Sequence, residues 1–152
     1  MPDPISFTSI CPRHALPILF AGQPQKEFYV NEAHARIDAL LHAAIEGEVD
    51  APPSSPAAGE SWIVGSAPSG SWAGHASELA CFTAGTWIFL QPLDGMRVFD
   101  RSASQFLLYR GGWSAAASPA EPIGGSTIDT EARLAIAGLT AALTAAGILP
   151  SG

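Results

Sequence analysis

The sequence predicts an α+β protein: an extended N-terminal arm and a helix, a small antiparallel β unit rich in aromatic residues, and a C-terminal helix. Three observations carry this prediction. Apolar residues recur at heptad spacing near each end of the chain. Between them lie short runs of aromatic and β-branched residues, bounded by Gly, Ser, Pro and Asp. Two Pro/Ser/Ala-rich stretches, "VDAPPSSPAAGES" and "SAAASPAEPIGGS", separate these parts as loops.

The arm, residues 1–22, holds Pro2, Pro4, Pro12 and Pro17. Each proline fixes φ and removes a backbone donor, so this part is extended and needs a neighbour to lie on. The first helix is predicted over 23–47. Pro24 suits its first turn, where the missing N–H costs nothing. Val30, Ala33, Ile37, Leu40 and Ala44 form a seam with steps of 3, 4, 3 and 4. Leu41 and Ile45 widen it, and Gly47 is the expected stop.

The β domain is predicted over 60–115, from "SWIVG", "ELACFT", "TWIFL", "MRVFD" and "QFLLYR". Two pieces, "CFTAGTWIF" and "LYRGGWSA", each read as a hairpin. Gly85 and the Gly111–Gly112 pair supply the positive φ that tight hairpins require. The last segment, 127–149, reads as a helix capped by Asp129. Its seam is Ala132, Ile136, Leu139, Leu143 and Ala146, with Ala135, Gly138, Ala142 and Ala145 beside it. Neither helix can bury its seam alone, so the helices are expected in an oligomeric bundle. Val and Ile at a with Ala and Leu at d favour two strands, weakly, because the seams are short.

The chain has 152 residues, one domain's worth with helical arms. Only 14% are charged, against about 25% in a typical soluble protein. So little charge favours a part of an assembly over a free monomer. The net charge is −7, with no run of Lys or Arg. Nucleic acid and anionic membranes are therefore excluded as expected partners. The uncharged run Leu134–Leu149 has 16 residues, short of the roughly 20 that span a bilayer. The first residues lack the basic start and apolar core of a secretion signal. Cys11 and Cys81 have no metal-motif spacing and read as two free thiols.

The charged residues of the first helix do not assemble into a catalytic or metal site. Glu27 and Asp38 lie about 16 Å apart along a helix axis, beyond the roughly 5–9.5 Å of a glycosidase pair. His34, Asp38 and His42 make an i, i+4 row with no further ligand nearby, so a surface row is expected and no metal. No catalytic residue and no cofactor is assigned. Trp62, Trp72, Trp87, Trp113 and their Phe and Tyr neighbours read first as the core of a small sheet. The alternative is a glycan or partner contact through Trp72, His75, Trp87 and Trp113. Trp72, in a Gly/Ser loop, is the one expected to be exposed.

The run "LPILFAGQPQKEFYVNEAHARIDALL" resembles the signature of an uncharacterised family of alphaproteobacterial prophages and gene-transfer agents. That signature has an AGQxQKE start followed by NEAxARxDAL. "APPSSPAAGESWIVGSAPSGSWAGH" and "GTWIFLQP" extend the resemblance, and the Ala-rich tail helix adds to it. Phe28, Tyr29 and Pro24 depart from the pattern. The resemblance implies a virion component made in the cytoplasm: a short fibre, spike or adaptor on tail or capsid. It further implies a homotrimer, against the two-strand preference of the seams, which are too short to specify copy number strongly. The expected partners are other copies of the chain, other virion tail or capsid proteins and, in the alternative, a host surface polysaccharide.

Overall fold

The computed structural model describes residues 22, 24–125 and 129–150. The predicted arm, apart from Gly22, and the first two positions of the predicted C-terminal segment lie outside them. The described chain is α+β, with one helix towards each end, antiparallel-rich sheets between them and an aromatic cluster.

Helix α1 spans Lys26–Leu40, shorter than the 23–47 predicted. It ends because Leu41 turns extended (φ −76°, ψ 110°) and His42 enters the left-handed region at φ 55°. Ala44 and Ile45 then form strand β1 (Ala44–Ile45) and pair with Phe99 and Asp100. Ala44 is thus a strand residue and not the last position of a helical seam. Ile45 is completely buried in the core. A 3-4 spacing cannot distinguish that from one more helical turn, because the partner strand lies more than fifty residues away.

Strands β2 (Glu48–Val49), β3 (Ser61–Val64), β4 (Leu79–Thr83) and β5 (Thr86–Leu90) form one sheet, in the order β2-β3-β4-β5. Strands β6 (Arg97–Asp100), β7 (Gln105–Tyr109) and β8 (Trp113–Ala115) form the other with β1, in the order β1-β6-β7-β8. The β1–β6 and β2–β3 pairs are parallel and the rest antiparallel. One stretch, 44–49, serves both sheets. Ile45 O accepts from Arg101 N, while Glu46 N donates to Ser61 O and Gly47 O accepts from Ile63 N. Gly47, at φ 143°, makes the bend between the two pairings.

The β4–β5 hairpin turns on Ala84 and Gly85, at φ 49° and 76°. Positive φ at both positions matches the twist of the flanking strands, as the sequence predicts. Strand β3 is buried throughout. Ile63 joins Ile45, Leu79, Leu90 and Val98, with Ala39, Leu40, Ala43, Met96, Leu107 and Trp113 packed around them. Trp62 and Val64 belong to a second cluster with Trp72 and Ala80. Burial of these side chains is the main favourable term holding the unit together.

Helix α2 spans Thr130–Ala145, and Asp129 Oδ1 accepts from Ala132 N at 2.9 Å, the expected cap. No residue of α2 is buried. The residues after it behave differently. Phe106 N donates to Gly147 O at 2.6 Å, and Leu149 is buried.

Candidate functional site

The aromatic residues divide between a core and one small surface patch. Trp62 comes from β3, Trp87 from β5, and Trp72 from a 3-10 turn at Gly70–Trp72. Trp72 stands nearly perpendicular to Trp87 with ring centres 5.0 Å apart, and Trp62 lies 5.6 Å from Trp87. Phe82 closes the group at 5.0 Å from Trp87. Such edge-to-face contacts suit the ring quadrupole.

Trp72 is 0% exposed, which corrects the expectation that it faces solvent. The Gly/Ser composition of residues 65–78 suggests an open loop, but the loop is stitched back onto the sheet. Ser77 N donates to Val64 O, and Val64 N to Glu78 O. Ser69 N donates to Asp50 O, while Asp50 Oδ1 accepts from Ala67 N at 2.9 Å. Closing the loop drives its one large apolar side chain into the sheet, over Trp62 and Trp87. Trp113 is half-buried and contributes to the inter-sheet core. Its indole N–H donates to Ser77 O at 2.9 Å, tying β8 to the same loop. Trp72 therefore has no free face for a sugar, while Trp87 is half-buried against the cluster and Trp113 acts as a clamp.

His75 is half-buried, its side chain 37% exposed. Its ring stacks on Phe89 at 3.6 Å with a 6° interplanar angle. Nδ1 lies 3.0 Å from Glu78 Oε2, and Gln91 Nε2 reaches Glu78 Oε1 at 3.4 Å. The sequence reading named His75 but missed Phe89, Glu78 and Gln91. A signal existed: Trp87, Phe89 and Gln91 lie two apart, on one face of an extended chain.

The helix seams make a second surface. On α1, Leu40 packs on the core, whereas Ile37 is 44% exposed and Phe28 64%. Val30 and Ala33 are half-buried beside them. His34 and Asp38 face solvent, and Glu32 pairs with Arg36 at 2.9 Å. Among the described residues no group of three or more His, Cys, Asp or Glu could hold a metal ion. On α2, Ile136, Leu139 and Leu143 are exposed, Leu139 by 65%. Ala146 is the C-cap and is exposed as well. No helix among the described residues is long and apolar enough to cross a membrane.

The adjoining face of α2, from Ile136 round to Leu134, is lined by its own linker. Residues 118–123 run beside it, bounding a groove of about 950 Å³ with Leu134, Ala137 and Ala141. Arg133 holds them there, donating to Pro122 O at 2.7 Å and to Gly124 O. Arg133 stands four residues after Asp129, but its side chain bonds these linker carbonyls.

Residues 30–114 match the profile of a family described as "Protein of unknown function (DUF2793)", more than half of the chain. The match starts inside α1 and ends in β8, so α2 lies outside it. No curated protein matches the sequence.

Proposed function

The chain belongs to the DUF2793 family, and we propose that it is a structural, self-associating component of a phage or gene-transfer-agent particle. In this reading it is a short trimeric fibre, spike or adaptor attached to tail or capsid, and not an enzyme. The observation that carries the reading is the pair of exposed apolar helix faces: Ile37 on α1, and Ile136, Leu139 and Leu143 on α2. Exposed apolar area of this extent, on a chain so poor in charge, is characteristic of an association surface. Helices in proteins draw most of their stability from packing an apolar face, and no residue of the 16-residue α2 is buried. The resemblance of "AGQPQKE" and "NEAHARIDAL" to prophage and gene-transfer-agent proteins supplies the particle. Mass photometry at micromolar concentration tests the reading. A trimer is expected, and a monomer would sink it.

A second reading, recognition of a host surface polysaccharide, is favoured by one observation, the stacked His75–Phe89 pair bordered by Glu78 and Gln91. A flat ring pair beside carboxylate and amide groups suits a sugar's apolar face and hydroxyls. On a glycan array, binding lost on His75→Ala and Phe89→Ala would support it. Binding that survives both would remove it.

A further inference from the structure

We infer that the α2 arm is exchanged between copies, so that the cleft beside Phe99 and Phe106 holds the Gly147–Leu149 tail of a neighbouring chain in the assembly. The inference rests on the self-association proposed above and names the contact that ties the copies together.

The cleft is specific to this tail. Strand β7 pairs with β8 only as far as Leu107 and Ala115. The next amide of β7, that of Phe106, would be left over, and Gly147 O takes it at 2.6 Å. Gly147 has φ 67°, and a Cβ there would meet Phe99 Cε2 at 3.3 Å and Phe106 carbons at 3.5 Å. Only glycine combines that backbone with that approach. Ile148 lines the adjoining groove with Arg97, Phe106 and Leu108, and Leu149 is buried.

The rest of the arm is self-contained. No residue of α2 is buried, and Arg133 fastens the linker to the helix, not to the sheets. The linker leaves β8 at Ala115, beside the cleft to which the tail returns. Gly124 and Gly125, at φ 86° and 107°, form the bend from which α2 can swing out. Swung out at this bend, the 16-residue helix carries the tail away over its own length of roughly 24 Å. Exchange therefore keeps the tail contact and the linker–helix contact. It changes only which chain supplies each half, the condition under which swapping costs little. It also brings the leucine seams of different copies towards one another.

Arg97 of the sheet and Ile148 of the tail line one groove, and disulfide formation between cysteines placed there reports who supplies the tail. In a Cys11→Ser, Cys81→Ala background, a chain carrying Arg97→Cys is co-expressed with a differently sized chain carrying Ile148→Cys. The purified assembly is oxidised mildly and run on a non-reducing gel, with mass photometry on the same sample. The expected result is a disulfide-linked band joining the two sizes. In the trimer, the lack of a joined band from the mixed chains, while a separate chain carrying both substitutions links within itself, overturns the exchange and leaves self-association standing. A monomer overturns both. Gly147→Val serves as the second variant: with exchange, it releases the linked band and dissociates the oligomer. An intact oligomer with Gly147→Val also overturns the proposal.

Discussion

Trp72 is fully enclosed by Trp62 and Trp87, although it sits in a Gly/Ser segment. Removing a fully buried indole costs its transfer energy and leaves a cavity. Trp72→Ala is expected to lower unfolding stability by about 3–5 kcal/mol in urea titration. A loss below about 1 kcal/mol would mean that the ring is not in the core. Cys81 is buried opposite Ser61 on the neighbouring strand. Burial pushes its thiol above the ordinary value, the Ser61 hydrogen bond partly opposes this, and Asp38 adds to the rise. The folded state thus holds the thiol proton more tightly than the unfolded chain does. The stabilisation is whole below the unfolded thiol's pKa and is lost as pH rises through the folded one. Denaturation of wild type and Cys81→Ala across that alkaline range checks this. Wild type should lose stability faster than the variant as pH rises, and parallel curves would refute the shift. Neither residue's setting was legible locally. What buries Trp72 is the return of the loop onto Val64, which is set by backbone pairing and not by loop composition.

At the scale of the element, α1 is both a base and an arm. Its last turn packs Ala39 and Leu40 on the inter-sheet core, while Ile37 and Phe28 remain open. Ile37→Asp is expected to dissociate the oligomer and to leave tryptophan fluorescence and the β unit unchanged, as read by mass photometry and emission spectra. His34→Ala, on the solvent side, should alter neither. An activity lost with His34→Ala from an intact oligomer would reopen the catalytic reading. The elements read most easily were those with local marks. Gly85 marks the β4–β5 turn, and Asp129 caps α2. The true end of α1 was hidden, because Ala44 and Ile45 keep the apolar phase of the helix while pairing with β6. The parallel pairings of β1 and β2 join distant residues, and no short window of sequence signals them.

At the scale of the whole molecule, both helices are fixed to the β unit at their C-terminal ends: α1 through Leu40 and Ala43, and α2 through the Gly147–Leu149 tail. In the proposed oligomer, their exposed apolar faces meet other copies. That contact would be apolar, with the Glu32–Arg36 pair to its side. Raising ionic strength to about 1 M shrinks the screening length to about 3 Å, which weakens ion pairs and not apolar burial. The oligomer should therefore persist at high salt by analytical ultracentrifugation. Dissociation there would assign the contact to charges such as Glu32 and Arg36.

The stretch 44–49, hydrogen-bonded to both sheets across the Gly47 bend, also decides how the molecule carries tension. Pulling on α1 delivers force directly into that stretch. Its parallel pairings with β6 and β3 receive the pull along the strands, so their hydrogen bonds resist in shear and fail together instead of peeling singly. A particle component anchored through α1 would share each tug between two sheets at once.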